Sequence, residues 1–315
     1  MVFCEPMAPA PTFRSSGDLL ADRRYAYAEA ALKDGDHRAA IDLAEQSLEL
    51  APSFAPAHAL LGRARAVDGQ GEAAVAALSR ALELEPADVL GVRIDLARLG
   101  ALPSEDAMSE SYVRALFDDY AGTFDKHLVR NLAYRGPDLL RAAVRRTFAS
   151  YGQTVWAERV LDLGCGTGLV AKAFEGTYER IEGVDLSPRM LAVARRTRLY
   201  NRLHERDLGS FLKGEADRTA DLVVAADVFV YLAALDGIFA EIHRVLMPRG
   251  LLGFTVQAHE GTGVVLGEDS RYAHGEDYLR ALASQAGFSI ALFELVSTRQ
   301  DRGVDVPGFL CVLER

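Results

Sequence analysis

The residues best placed to do chemistry lie in "VLDLGCGTGLV", where Gly164, Gly166 and Gly168 break an apolar run that ends at Leu163. Glycines at this spacing permit a tight turn and let a ligand touch the main chain. The helix expected from Leu169 then starts with unpaired N–H groups facing the same place. Seventeen residues after Gly168, a second apolar run, "IEGVD", ends in Asp185. A carboxylate at a strand end can accept from both hydroxyls of a ribose, so the turn and Asp185 together describe a nucleoside-containing ligand. A dinucleotide remains open at this point. The G-x-G-x-x-G/A fingerprint fails from Gly164, where Leu169 stands last, and passes from Gly166 through Gly168 and Ala171.

Other candidates carry two readings each. His274, in "RYAHGEDYL", is expected at a helix start beyond the fifth strand, where an imidazole could deprotonate an acceptor or simply bond nearby backbone. His127 and His259 read as structural, His127 because its helix needs that face for packing. Phe117, Tyr120 and Phe124 recur at helical spacing as a core stripe that could also form a lid. The arginines between Arg189 and Arg206 read as the solvated face of a helix whose other face holds Met190 and Leu191. Cys165 reads as a small residue filling the glycine turn rather than a reactive thiol.

Strand signals ("RVLDLG", "RIEGVD", "RLHERD", "ADLVVAAD", "GLLGFTVQ", "FSIALFELV", "GFLCVLE") alternate with helical segments from Leu169, Ser187, Leu232 and Gly275. The expected fold is α/β: a doubly wound, seven-stranded, mainly parallel sheet with its ligand at the carboxyl ends of the strands where strand order reverses.

This part of the chain resembles the class I S-adenosylmethionine-dependent methyltransferases, whose first motif D-x-G-x-G-x-G stands as Asp162, Gly164, Gly166 and Gly168. The resemblance covers about residues 109–315 and implies a Rossmann-like domain that binds S-adenosylmethionine. It implies Asp185, followed by "LSPRML" with Leu186 and Met190, as the ribose ligand. Asp207 and the Leu208 N–H in "RDL" would hold the adenine, and Asp227 in "DVFVYL" would flank the methionine part. Cys165 lies within the first motif, and Tyr134, Phe229 and Tyr231 are expected to line the sulfonium site. Methyl transfer to a small-molecule acceptor by in-line displacement is the activity implied, with His274 the candidate base and no metal. The alternatives are a protein methyltransferase and a cofactor-binding adaptor without catalysis.

Before this domain, "KDGDHRAAIDLAEQSLELAP" aligns with "VDGQGEAAVAALSRALELEP" 34 positions later. Each copy reads as helix, Asp-Gly turn, helix and proline stop, and the pattern resembles the tetratricopeptide repeat. The expected division is a leader over 1–18, an all-α repeat domain over 19–101 capped by "DVLGVRIDLARLGAL", a linker at "GALPSEDAM", and the methyltransferase domain over 109–315. The repeats imply docking of a partner polypeptide or self-association. A net charge of -10 disfavours nucleic acid, and the three cysteines lack disulfide or metal-ligand spacing. With no apolar run long enough to span a membrane, a cytoplasmic protein is expected.

Overall fold

Strand β1 (Ala157–Leu163) places Val160 in one apolar layer and Leu161 and Leu163 in another, so it is covered from both sides. This is what a parallel sheet with helices on both faces demands of its central strand. The chain steps outward from β1 to β2 (Tyr178–Asp185) and β3 (Arg202–Glu205). It then returns to the other side of β1 with β4 (Ala220–Ala225) and β5 (Leu246–Ala258), all parallel. Strand order therefore reverses between β1 and β4, which opens a crevice at their carboxyl ends.

The computed structural model describes residues 15–124, 133–301 and 303–315. Cys4, His127 and residues 1–14 of the expected leader lie outside them. All seven expected strands are present. Two three-residue strands, β6 (Val264–Leu266) and β7 (Tyr272–His274), join the carboxyl end of β5 and bring the sheet to nine strands. At three residues each they are too short for an alternation pattern to show in sequence. Strand β9 (Val304–Glu314) pairs antiparallel with β5, and β8 (Ser289–Asp301) pairs with β9. One apolar layer is led by Leu140 and Val144 of the helix Gly136–Ser150, the other by Phe239, Ile242 and Leu279 of the helices Asp236–Val245 and Glu276–Gln285.

Among the described residues, packing separates a unit up to Ala115 from one that starts at Leu116, a division inside the helix Glu110–Tyr120. In the first unit the helices Leu19–Lys33 and His37–Leu50, then Ala55–Val67 and Gly71–Leu84, form two antiparallel pairs. Each pair turns at an aspartate followed by a left-handed glycine, Gly35 and Gly69, both at φ +83°. A Cβ on Gly62 would lie 2.5 Å from Leu78 Cγ, so glycine there lets the second pair close. The helix Val92–Arg98 ends the array by setting Val92 and Leu96 against Leu78 and Ala81. No helix among the described residues is long and apolar enough to cross a membrane.

Candidate active site

Three left-handed glycines carry the chain out of β1, and each answers a different demand. A Cβ on Gly164 would lie 2.4 Å from Val228 Cγ2, and one on Gly168 would lie 3.1 Å from Tyr200 Cε2. Those two glycines are required by packing. Beside Gly166 the one atom of the described residues within 4 Å of such a Cβ is Phe124 Cε1, at 3.9 Å, so those residues leave the main chain open there. The Gly166 N–H donates to Asp185 Oδ2 at 2.9 Å, and Asp185 Oδ1 accepts from the Ser187 N–H at 2.8 Å. Burial pushes the Asp185 carboxyl up, and the two N–H bonds pull against it. Both oxygens are thus fixed in place while keeping lone pairs for further donors.

The first motif's carboxylate faces inward. Asp162 Oδ2 accepts from the Tyr200 hydroxyl at 2.6 Å, while its buried Oδ1 has no partner among the described residues. Burial pushes Asp162 up to about 7, the Tyr200 bond opposes this, and the charge of Asp185 adds to it. Cys165 is buried, its thiol pushed well above the usual range by desolvation, and its Sγ lies 2.8 Å from where a Cβ on Gly183 would sit. It fills space, as its small size suggests.

Ser187 caps the helix Pro188–Thr197 by accepting from the Met190 N–H, and its hydroxyl donates to Asp118 Oδ1 at 2.6 Å. Asp118 thereby ties the segment that begins at Leu116 to the end of β2. Leu186 is half-buried and Met190 fully buried. The six arginines from Arg189 to Arg206 are all exposed. Beyond β3, Asp207 caps the helix Leu208–Lys213 through the Ser210 N–H at 2.8 Å. Burial raises its carboxyl, but the bonds to Ser210 outweigh that and leave it below the ordinary value. Leu208, half-buried, opens that helix.

Asp227 stands beyond β4 at φ +54°, a left-handed conformation that is uncommon for a non-glycine residue but that aspartate adopts more readily than most. Thr255 of β5 accepts from its N–H at 2.9 Å and donates to its Oδ1 at 2.8 Å, while Thr298 of β8 donates to Oδ2 at 3.2 Å. Tyr134 is half-buried. Burial and then Asp227 push the Tyr134 hydroxyl well up, and Arg299, Asp162 and Arg271 also act on it. Phe117 packs edge-on to Tyr231 with centroids 5.2 Å apart, and Tyr120 does the same to Phe124 at 5.2 Å, so the aromatic stripe belongs to the site's surroundings. Phe229 is instead buried in the core against Phe239 and Phe254.

His274 is enclosed rather than presented to solvent. It ends β7 rather than opening a helix, and it is fully buried and stacked on Tyr278 with centroids 5.9 Å apart. Neither ring nitrogen has a well-formed hydrogen bond among the described residues. Burial pushes it down to about 4, opposed by the Leu232 backbone. His259 bonds the Gly263 carbonyl and the Gly261 N–H within its own turn. Residues not singled out from sequence complete the site: Tyr200, Thr255, Thr298 and the pair Arg271 and Arg299. None lies in a local motif; sheet register brings them in. Among the described residues no cluster of histidine, cysteine, aspartate or glutamate could hold a metal.

A doubly wound sheet with a glycine turn and an acidic strand end at its switch point defines a Rossmann-like nucleoside-binding domain. A family model described as a methyltransferase domain matches residues 161–254, and a tetratricopeptide repeat model matches residues 31–93. A malonyl-[acyl-carrier protein] O-methyltransferase of Geobacter sulfurreducens is 32% identical over 221 residues, covering 61% of this chain and 80% of that protein. A protein of the same description from Serratia marcescens is 26% identical over 179 residues, and the chain spans 65% of its length. A solved 1,6-didemethyltoxoflavin-N1-methyltransferase of Burkholderia thailandensis aligns with a TM-score of 0.48 at 20% identity, covering 65% of this chain and 88% of that one. The chain belongs to the S-adenosylmethionine-dependent methyltransferases, with tetratricopeptide repeats ahead of the methyltransferase domain. The described residues fit that cofactor: an open Gly166 main chain, a braced Asp185, and the buried Oδ1 of Asp162, unpartnered among them.

Proposed function

We propose that this chain methylates a small-molecule acceptor, using S-adenosylmethionine held across the carboxyl ends of β1, β2 and β3. Asp185 takes the ribose hydroxyls, Asp207 and the Leu208 N–H take the adenine, and the turn from Gly164 to Gly168 with Asp227 takes the methionine part. The cofactor supplies a methyl group already activated on a sulfonium. The protein's own task is therefore to align an acceptor and exclude water. Tyr134 and Tyr231, with Phe117, Tyr120 and Phe124, supply apolar walls and ring faces suited to a cation. The observation that carries this reading is Asp185, buried and held by the Gly166 and Ser187 N–H groups at the switch point.

The test is incubation with methyl-labelled S-adenosylmethionine and a fractionated cell extract. Label in a small-molecule fraction supports the reading, and label confined to polypeptides contradicts it. A second reading, in which the repeats dock a polypeptide, is favoured by Leu19, Leu20 and Tyr27, which leave 82%, 50% and 62% of their surface exposed on the first helix.

A further inference from the structure

We infer that Arg271 and Arg299 form a fork that binds a carboxylate on the methyl acceptor. This rests on the methyltransferase reading of the same site. Arg299 comes from β8, and its side chain is 6% exposed. Its Nη2 donates to Gln257 Oε1 at 2.9 Å and to Asp269 Oδ2 at 3.1 Å. Its Nε and Nη1 have no hydrogen-bond partner among the described residues. Arg271, from the turn before β7, is also largely buried. It lies 3.9 Å from Asp269 Oδ2 and donates through Nε to the Tyr231 hydroxyl at 3.2 Å. Arg271 bonds Tyr231, and Arg299 follows Thr298, which bonds Asp227, so both arginines come in beside the end of β4.

Burying two guanidinium groups together is costly unless counter-charge is at hand. Asp269 and Asp227 supply that counter-charge, and Asp227 also accepts from Thr255 and Thr298. The set is balanced until a sulfonium arrives, which adds one positive charge beside it. Burial, and then the charge of Arg271, already hold Arg299 below its ordinary value, as expected where a further anion would be welcome. An anionic acceptor restores the balance. A planar carboxylate matches a guanidinium fork and keeps lone pairs free for attack.

The neighbouring titratable groups agree with an acceptor that arrives ionised. Burial pushes Tyr120 up to about 12 and Tyr134 well up, so neither is a phenolate at neutral pH, and His274 is fully buried and stacked on Tyr278. A carboxylate is ionised near neutrality without a base. Its esterification forms an O–CH3 bond and breaks the S–CH3 bond, whose electron pair stays on sulfur. No proton has to be placed.

The test is calorimetric titration of the full chain saturated with sinefungin, a cationic cofactor analogue with no methyl to transfer. The probes are the malonyl thioester of N-acetylcysteamine, its terminal carboxamide, and inorganic phosphate. The carboxylate should bind at least tenfold more tightly than the carboxamide. Arg299→Gln should erase that preference while sinefungin affinity stays unchanged, and Asp269→Asn, which removes the competing negative charge, should tighten the carboxylate. Equal binding of acid and amide, a preference that survives Arg299→Gln, or phosphate bound in place of the thioester would overturn the carboxylate fork. Failure of sinefungin itself to bind would instead overturn the methyltransferase reading beneath it.

Discussion

The two halves of the crevice are built by different rules. On the side of β1, β2 and β3, the candidate ligands sit in short contiguous motifs: Asp162 to Gly168, Asp185 to Ser187, and Asp207 with Leu208. On the side of β4, β5 and β8, Asp227 is held by Thr255 and Thr298, and Arg299 meets Gln257 and Asp269, partners 28 to 71 residues apart in the chain. The first half addresses its ligand with main chain and strand-end carboxylates, so a local motif suffices. The second half addresses its ligand with side chains whose positions depend on sheet register. A nucleoside site can stay constant on such a frame while the acceptor site varies.

The largest effect is expected in the contiguous half. Gly164→Ala combines a left-handed φ of +63° with a Cβ 2.4 Å from Val228, and should cost about 2–4 kcal/mol in denaturant unfolding. Gly166→Ala, with no such clash, should cost only about 1–2 kcal/mol of stability while weakening cofactor binding. Equal losses at the two positions would break the distinction drawn between packing and access.

Asp162 makes the same half sensitive to pH. Its folded carboxyl is pushed up to about 7 from 3.8, so the unfolded chain releases this proton first as pH rises. Its contribution is fully present below pH 4 and is lost as pH climbs toward 7. Melting temperatures of Asp162→Asn should lack that decline. A wild-type decline kept intact in the variant would assign it to another group.

In the register-built half, Thr298→Val removes a buried bond to Asp227 and should cost about 1 kcal/mol of stability. Asp227 is placed against the methionine part, so affinity for S-adenosylhomocysteine should weaken by no more than about 1 kcal/mol while turnover falls further. A loss of cofactor affinity as large as that of turnover would merge the two halves into one unit. The smallest effect belongs to the repeats. The double change Leu20→Asp and Tyr27→Asp touches exposed side chains and should leave stability within about 0.5 kcal/mol. If it also lowers turnover on a purified small-molecule acceptor, the repeats serve that reaction directly.

The same contrast explains what was legible in sequence. The doubly wound sheet follows from strands buried on both sides, and the glycine turn with Asp185 follows from main-chain geometry that few other residues permit. The Asp-Gly turns at Gly35 and Gly69 likewise announce the helix pairs. Tyr200 escapes notice because its role, donating to Asp162, exists only once β3 lies beside β2. Arg271 and Arg299 sit in unremarkable surroundings, "SRYAHG" and "STRQD", and meet through Asp269 only in the folded sheet. His274 has the chemistry of a base by residue type, yet the two short strands at the end of β5 bury it and stack it on Tyr278. Strands of three residues leave no pattern that could have foretold this.

The central claim is that Asp185, braced by Gly166 and Ser187, is the point at which the cofactor's ribose is held. It is tested most directly by calorimetric titration of S-adenosylhomocysteine into wild-type protein and Asp185→Ala, with unfolding curves recorded for both. Loss of charge-assisted bonds should weaken binding by about 1–3 kcal/mol, roughly 5- to 150-fold, in a variant that still unfolds cooperatively. Unchanged affinity in a folded variant would contradict the account.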